Sequence, residues 1–220
     1  MTNIKGIIWD FGGVITESPF EAFNRFETEK KFPLDFIRSV NATNPSSNAW
    51  ALFESSKVTL EEFDNLFYDE SRSMGHAIRG RDVVPLLSCG IRKKMLRVLS
   101  YLSADYKQLC LTNNIKTGIG VGMSSTQEAA EEAEEAMNCF DEIIESSKVG
   151  FRKPEKEIYQ LACERLGLRS EQIVYLDDLG INLKPARIMG IQTIKVHSEA
   201  QAIIDLSEVL ALDLDLAVGD

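Results

Sequence analysis

Five residues whose side chains could perform chemistry follow short apolar runs of the chain. Asp10 closes the run IIW and is followed by two glycines, and Thr112 closes the run LCL. Lys153 follows a third segment, and Asp177 and Asp178 close the run IVYL. Together they offer a carboxylate nucleophile, a hydroxyl donor, a cation and a pair of acids. Apolar runs that end in this way are typical of buried parallel strands whose carboxyl ends open onto a ligand-binding crevice.

Each of these residues also has an ordinary structural explanation. The aspartates could hydrogen-bond turns of their own backbone. Thr112 could cap the end of a strand, and Lys153, like Lys148 before it, could be a solvated loop charge. These residues lie at the ends of four predicted strands, with Asp177 and Asp178 sharing one of them. Coincidence is the weaker explanation for all four strand ends together. We therefore expect them to meet at one edge of a sheet.

Strand and helix patterns alternate from Arg92 onward. The segments that predict strands are KQLCLTNN, FDEIIESS, IVYLDD and QTIKV, and those that predict helices are KKMLRVLSYLS, KPEKEIYQLACERLG and NLKPARIMG. We expect Pro154 near the start of the second of these helices, Gly167 as its C-cap, and Gly190 as the end of the third. This succession predicts an α/β protein with a doubly wound parallel sheet.

The segment between Ser18 and Leu87 carries helical patterns instead. PFEAFNRFETEKKF and TLEEFDNLFYDESRSM place Phe, Leu and Tyr three and four residues apart, as amphipathic helices do. Thr59 and Glu62 form a capping-box pattern at the start of the second helix. We interpret the aromatic stripe as a helical core and not as a cofactor pocket. The sequence thus predicts a helical domain over 17–87, inserted into an α/β core of 1–16 and 88–220.

A further stretch, 115–137, combines the Gly-rich piece GIGVGM with SSTQEAAEEAEEAM. The glycines do not open a helix directly from a strand and lack a later ribose-binding acid, so we interpret them as a surface loop and not as a dinucleotide site. The Ala/Glu segment predicts a solvated helix capped by Ser125, with Glu128 three residues on.

Composition limits the classes of function. The chain of 220 residues is 44% hydrophobic and 26% charged, which is ordinary for a globular protein. Its formal net charge of −10 argues against nucleic-acid and anionic-membrane partners but not against a small phosphorylated ligand. No apolar stretch is long enough to cross a bilayer, and the N-terminus lacks a signal-peptide pattern, so we expect a cytoplasmic protein. The four cysteines show no metal-binding spacing and are expected to be reduced, mostly buried thiols.

The sequence resembles the haloacid dehalogenase superfamily, most of whose members are magnesium-dependent phosphatases. DFGGV is similar to its first motif, LTNN to its second, SSKVGFRKPEKEIY to its third and YLDDLGINLKPARIMG to its fourth. Within the superfamily, the likeness is greatest to the subgroup that contains the N-terminal phosphatase domain of soluble epoxide hydrolases, because WALFESSKVTLEEF resembles its cap. The resemblance covers essentially the whole chain and implies that the helical insertion is a cap domain.

The resemblance also implies the roles of the acidic residues. Asp10 would attack phosphorus and form an aspartyl-phosphate. Mg²⁺ would be held by Asp10, the backbone carbonyl of Gly12 and Asp178, with Asp177 close by or acting through water.

The remaining motif residues would handle the phosphoryl group. Thr112 and the backbone amide of Asn113 would hold phosphoryl oxygens, and Lys153 would neutralise charge on them and on the nucleophile. Asn182 would support the acid loop.

Gly12 departs from the pattern of the family. The phosphatases of this superfamily carry a second aspartate two residues after the nucleophile, which acts as general acid and base. A glycine there can offer a carbonyl to a metal, but it cannot transfer a proton. General acid–base catalysis contributes about 10²- to 10⁴-fold to a rate, so slow or selective catalysis is expected.

Three functions are compatible with these residues. The first is a magnesium-dependent phosphohydrolase acting on a small phosphorylated metabolite. The second is a catalytically impaired phosphate-binding or regulatory member of the same fold, which the loss of an acid at Gly12 favours. The third is a 2-haloacid dehalogenase, in which Asp10 would attack carbon, although such enzymes work without magnesium and the Asp177–Asp178 pair argues against it. A serine hydrolase is disfavoured because the Gly-x-Ser-x-Gly elbow is absent from the sequence.

Overall fold

A five-stranded, all-parallel sheet forms the centre of the molecule, in the strand order β3-β2-β1-β4-β5. The structure is a computed structural model and describes residues 3–114 and 127–214. The strands are β1 Gly6–Trp9, β2 Lys107–Thr112, β3 Glu142–Glu145, β4 Ile173–Asp177 and β5 Gln192–Lys195. In register, Ile8 of β1 pairs with Leu109 on one side and with Tyr175 on the other. The first strand is therefore central, as its uninterrupted apolar run predicts.

Helices flank this sheet and fill the segment between β1 and β2. They are α1 Pro19–Lys30, α2 Phe36–Ala42, α3 Ala49–Glu54, α4 Leu60–Ser73, α5 Gly80–Val83, α6 Lys93–Leu102, α7 Gln127–Met137, α8 Ser146–Val149, α9 Lys156–Leu166, α10 Gly180–Ile188 and α11 Glu199–Leu210. Shorter helical turns occupy Phe11–Ile15, Val84–Leu87 and Ser170–Gln172.

Each face of the sheet has its own apolar core. Alternate residues of a strand point to opposite faces, so Ile7 and Trp9 pack with α6, α7 and α11, whereas Ile8 packs with α9 and α10. All three of these β1 side chains are fully buried. Helices on both faces of a parallel sheet confirm the predicted doubly wound α/β fold.

Helices α1 to α5 have a third, separate core that is rich in phenylalanine. Phe53 and Phe63 stack with ring centroids 4.4 Å apart, and Phe23 and Phe67 belong to the same buried cluster. The capping box is present, since the Thr59 side chain accepts from the Glu62 amide and the Glu62 carboxylate accepts from the Thr59 amide. The aromatic stripe is thus a helical core. The limits of a separate domain at 17 and 87 stay a prediction.

The structure corrects several element boundaries. Helix α9 begins at Lys156, later than the pattern indicated, and Pro154 lies close to its start as expected, directly before the N-cap Glu155. Helix α10 begins at Gly180, earlier than the pattern indicated, and ends before Gly190, whose φ of 91° suits a glycine.

The Ala/Glu helix is observed as α7, but it is not wholly solvated. Ala133, Ala136 and Met137 are buried against the sheet, because small apolar residues among the glutamates form one packed face. The GIGVGM loop and the predicted cap Ser125 lie outside the described residues. Within the described ranges, no helix is long and apolar enough to cross a membrane.

The four cysteines are free thiols, but the expectation that most of them are buried is wrong. Cys110 is buried, and Cys89, Cys139 and Cys163 are half-buried. Burial is the main cause of a raised thiol pKa in this protein, and it raises the pKa of Cys89 to about 11. None of the four carries the spacing or the low pKa of a reactive thiol.

Candidate active site

Three neighbouring strands end at the same edge of the sheet and carry the predicted polar residues. Asp10 follows β1, Thr112 ends β2 and Asp177 ends β4. Because β1 lies between β2 and β4, the three residues adjoin. The Asp10 amide donates to the Leu176 carbonyl at 2.9 Å, which continues the pairing of β1 with β4 to the end of the strand.

Asp10, Asp177 and Asp178 form a carboxylate cluster. Each offers an oxygen, and these oxygens lie within 4.8 Å of one another. The ammonium of Lys153 contacts two members of the cluster, with its Nζ 2.7 Å from Asp10 Oδ1 and 2.9 Å from Asp177 Oδ2. The Lys153 side chain is only 1% exposed. The structure therefore gathers four of the predicted site residues into one cluster, and it excludes a solvated Lys153.

Asp177 is engaged by the protein on both carboxylate oxygens. Its Oδ1 accepts from the Leu179 amide at 2.7 Å, and Asn182 Nδ2 lies 3.1 Å from each oxygen. Its Oδ2 accepts from Lys153 and from the Tyr175 hydroxyl. These bonds fix Asp177 in place and leave it less available than Asp178 to a metal ion.

Asn182 supports this arrangement from α10. Besides contacting Asp177, its backbone carbonyl accepts from the Tyr159 hydroxyl at 2.6 Å. Tyr159 itself is fully buried on α9. The site is thus held by a hydrogen-bonded chain that crosses from β4 through α10 to α9.

Burial and mutual repulsion control the charges of the cluster. Burial raises the pKa of Asp10 well above its usual range, and the Lys153 ammonium opposes that shift. Burial, followed by the charge of Asp177, raises the pKa of Asp178 to about 6. For Lys153, burial acts to lower the pKa, but the charges of Asp10 and Asp177 outweigh it and the net shift is upward. One ammonium faces three carboxylates, so the cluster holds excess negative charge.

The donor set fits a hard divalent cation. Mg²⁺ prefers carboxylate and carbonyl oxygens, and a second positive charge would balance the excess negative charge of the cluster. Gly13 makes the close approach of Asp178 possible, since its φ is +76° and a Cβ there would lie 2.4 Å from Asp178 Oδ2. Gly12 is different, because a Cβ there would meet no atom within 4 Å.

Thr112 and Asn113 complete the floor of the site. Thr112 is buried and lines the cavity in front of Asp10. The Asn113 side chain clamps the backbone of Lys153: its Oδ1 accepts from the Lys153 amide at 2.8 Å and its Nδ2 donates to the Lys153 carbonyl at 3.0 Å. The sequence predicted a role for the backbone amide of Asn113 and missed this role of its side chain.

A cavity of about 880 Å³ separates this sheet edge from the helical insertion. Its floor includes Asp10 and Lys153, and Gly12 lies on its wall. The insertion contributes Phe20, Phe23 and Trp50 among other residues. Most of the predicted chemistry-bearing residues therefore face a partly open cleft large enough for a small organic ligand.

The sequence analysis did not predict two groups of residues at the site. Tyr175 could have been found, because it lies two residues before Asp177 on one strand and so shares its face. Arg152 and Glu54 carry no such signal. They pair across the chain although 98 positions separate them.

Two curated mouse proteins are similar to most of this chain. Mouse "Bifunctional epoxide hydrolase 2" is 30% identical over 213 residues, covering 91% of this chain and 38% of that protein. Mouse "Acyl-CoA dehydrogenase family member 10" is 29% identical over 225 residues, covering 98% of this chain and 20% of that protein. The chain thus spans less than half the length of these two curated relatives. The resemblance to the epoxide hydrolase subgroup is confirmed.

Solved structures share the fold at lower identity. A HAD family enzyme of Bacteroides thetaiotaomicron, in complex with magnesium and inorganic phosphate, has a TM-score of 0.55 at 21% identity and covers 87% of this chain and 93% of that one. A structure described as a dehalogenase has a TM-score of 0.64 at 16% identity and covers 96% and 98%. The model of the haloacid dehalogenase-like hydrolase family matches residues 4–190. With the four motifs gathered around Asp10, this match shows that the chain belongs to the haloacid dehalogenase-like hydrolase family.

Proposed function

We propose that this protein is a magnesium-dependent phosphohydrolase that acts on a small phosphorylated metabolite through an aspartyl-phosphate on Asp10. One observation carries the proposal: the buried Lys153 ammonium joins Asp10 to Asp177, with Asp178 in the same cluster. A nucleophile, a buried cation and an acid pair are the groups that phosphoryl transfer requires, since its catalysis depends on positioning and on neutralising charge.

The comparisons support the phosphatase activity without deciding it. A 58-residue segment is 34% identical to the glyceraldehyde 3-phosphate phosphatase of Methanocaldococcus jannaschii, covering 26% of this chain. The solved neighbours include both a magnesium and phosphate complex and a dehalogenase, so the fold serves both reactions. The cluster of three carboxylates favours the metal-dependent reaction, because an oxygen-rich site suits a hard dication.

The metal would be held by Asp10, Asp178 and the backbone carbonyl of Gly12, with Asp177 close by or acting through water. When bound, the dication supplies positive charge that draws electron density from the phosphoryl oxygens.

The residues of the chain supply the rest of the mechanism. The Asp10 carboxylate attacks phosphorus, an O–P bond forms, and the bond from phosphorus to the leaving oxygen breaks. Lys153 keeps its proton throughout and neutralises Asp10 and the transferring group. Thr112 donates its hydroxyl to a phosphoryl oxygen, and the Asn113 amide donates to another. A water molecule then attacks the phosphorus, which releases phosphate and restores the carboxylate.

Gly12 determines which substrates turn over well. No side chain at this position donates a proton to the leaving group, so a leaving group that is stable as an anion departs most easily. Aryl, acyl and anomeric sugar phosphates are therefore the expected substrates, ahead of simple alkyl phosphates. Hydrolysis of the aspartyl-phosphate is also slowed, since no side chain at Gly12 activates water.

The helical insertion is the proposed cap, with domain limits at 17 and 87. Its aromatic side chains line the cavity in front of Asp10, where they would face the leaving group. We place the protein in the cytoplasm, where four free cysteines remain reduced.

Gly12 also supports a second candidate, a phosphate-binding regulatory protein that keeps the pocket and lacks turnover. Purified protein should be assayed with an aryl phosphate and with a 2-chloro acid, each with Mg²⁺ and with a chelator. Phosphate release that depends on Mg²⁺ supports the phosphohydrolase. Phosphate binding without release supports the regulatory protein, and chloride release without metal supports the dehalogenase.

A further inference from the structure

A buried ion pair joins the helical insertion to the α/β core beside the active site. Glu54, the last residue of α3, faces Arg152 in the loop before α9. Arg152 Nε donates to Glu54 Oε2 at 2.8 Å, and Arg152 Nη2 donates to the same oxygen. The two side chains are 14% and 11% exposed. At this burial, the loss of one partner leaves an uncompensated charge on the other.

Further hydrogen bonds fix both members of the pair. Arg152 Nη1 donates to the Pro45 carbonyl at 3.0 Å, so the arginine holds two separate points of the insertion. Trp50 Nε1 donates to Glu54 Oε1 at 2.9 Å. The Ser146 hydroxyl donates to the Glu54 carbonyl at 2.9 Å, so the core also holds the end of α3. The pair is therefore the centre of a specific junction.

This junction is one peptide bond away from the active-site lysine. Arg152 directly precedes Lys153. The Asn113 side chain hydrogen-bonds to the backbone amide and carbonyl of Lys153, at 2.8 and 3.0 Å. Its Nζ must reach Asp10 and Asp177 together, at 2.7 and 2.9 Å. The position of the ammonium thus depends on the Lys153 backbone. Asn113 of the core fixes that backbone directly, and the insertion fixes it through the preceding residue, Arg152.

We propose that Arg152 is a positioning residue, whose pairing with Glu54 sets the place of Lys153 when the helical insertion is seated on the core. Neither residue acts on the reacting atoms; their effect reaches Asp10 through Lys153. The effect on turnover rests on the proposed function, whereas the effect on the Lys153 backbone does not. A displacement of about 1 Å in a positioned group can cost about 10²-fold in rate, so a loosened Lys153 is a sensitive readout.

The backbone effect is tested by amide hydrogen exchange. Glu54→Gln keeps the shape of the side chain and removes its charge. We expect exchange at the Lys153 amide to accelerate about tenfold or more. Arg152→Gln, which removes the partner on the core, should accelerate it to a similar extent. The control is Asp64→Asn, which removes the charge of a buried aspartate that pairs with Arg81 inside the insertion and leaves the junction untouched. Unchanged exchange in Glu54→Gln, or equal acceleration in the control, overturns the proposal.

Kinetics provide the second readout. In Glu54→Gln we expect kcat to fall about tenfold with KM within about threefold, because Lys153 neutralises more charge in the transition state than in the bound substrate. The double variant Glu54→Gln/Arg152→Gln should be no slower than either single variant. Faster exchange with unchanged kcat overturns the proposal. If the wild type shows no turnover, the proposed function fails, and the exchange experiment alone decides the role of Arg152.

Discussion

Lys153 Nζ lies 2.7 Å from Asp10 Oδ1, and both side chains are buried at the carboxyl edge of the sheet. Burial alone would favour a neutral Asp10, whose pKa is raised well above its usual range. The ammonium opposes this shift and stabilises the anionic form that attack on phosphorus requires. The contact therefore links the charge of the nucleophile to the position of a single lysine.

We expect Asp10→Asn to lose hydrolase activity by at least about 10³-fold, because an amide is not an anionic nucleophile. The side chains are of similar size, so the fold should persist and the circular dichroism spectrum should match that of the wild type. Turnover within a few-fold of wild type would show that Asp10 is not the nucleophile.

Lys153→Met removes the cation that contacts Asp10 and Asp177 and leaves three carboxylates close together. We expect the metal-free protein to lose about 3 kcal/mol of unfolding free energy, since a buried pair has lost one partner. Mg²⁺ should restore part of this loss by supplying positive charge. Urea denaturation with and without Mg²⁺ measures both effects, and equal stability of variant and wild type in the absence of metal would contradict this account.

Magnesium binding should weaken at acidic pH. The pKa of Asp178 is about 6 in the metal-free protein, above its ordinary value, so protons compete with the metal below that pH. The folding stability of the metal-free protein should change with pH in the opposite direction. A carboxyl whose pKa is raised in the folded state is less stabilising once it is ionised, so the stability falls as the pH rises from about 4 through 6. The rise in melting temperature on adding Mg²⁺ should be larger at pH 7.5 than at pH 5. Asp178→Asn removes a proposed metal ligand and should abolish most of the rise at pH 7.5, and a rise as large as that of the wild type would contradict the assignment.

Gly12 and Gly13 are adjacent and offer a matched comparison. Gly12→Asp should fold, because a Cβ there meets no atom within 4 Å, and it should raise kcat/KM for an alkyl phosphate more than for an aryl phosphate. Gly13→Ala should weaken magnesium binding, because its Cβ would clash with the Asp178 carboxylate at a φ of +76°. If the wild type already hydrolyses both phosphates equally and Gly12→Asp changes neither rate, another group supplies the proton.

The sequence predicted the parts of the site that lie at strand ends. Asp10, Thr112 and Asp177 follow or end β1, β2 and β4, and in parallel sheets the topology brings such ends together. Tyr175 was within reach of the same reasoning, since strand alternation places it on the face of Asp177.

The contacts between the insertion and the core could not be predicted from the sequence. The pairing of Glu54 with Arg152 depends on how two separately packed units meet, and no local periodicity encodes that. The start of α9 at Lys156 was misplaced because a proline is favourable in a first turn and equally favourable in the loop before it.

Trapping the covalent intermediate tests the central claim most directly. The protein should be mixed with an aryl phosphate and Mg²⁺, quenched in acid within the first turnovers and analysed by peptide mass spectrometry. Because Gly12 slows the hydrolysis step, we expect one phosphoryl group to accumulate on Asp10, and none to appear in Asp10→Asn. Turnover with no phosphoryl group on Asp10, or with one on another residue, would contradict the account.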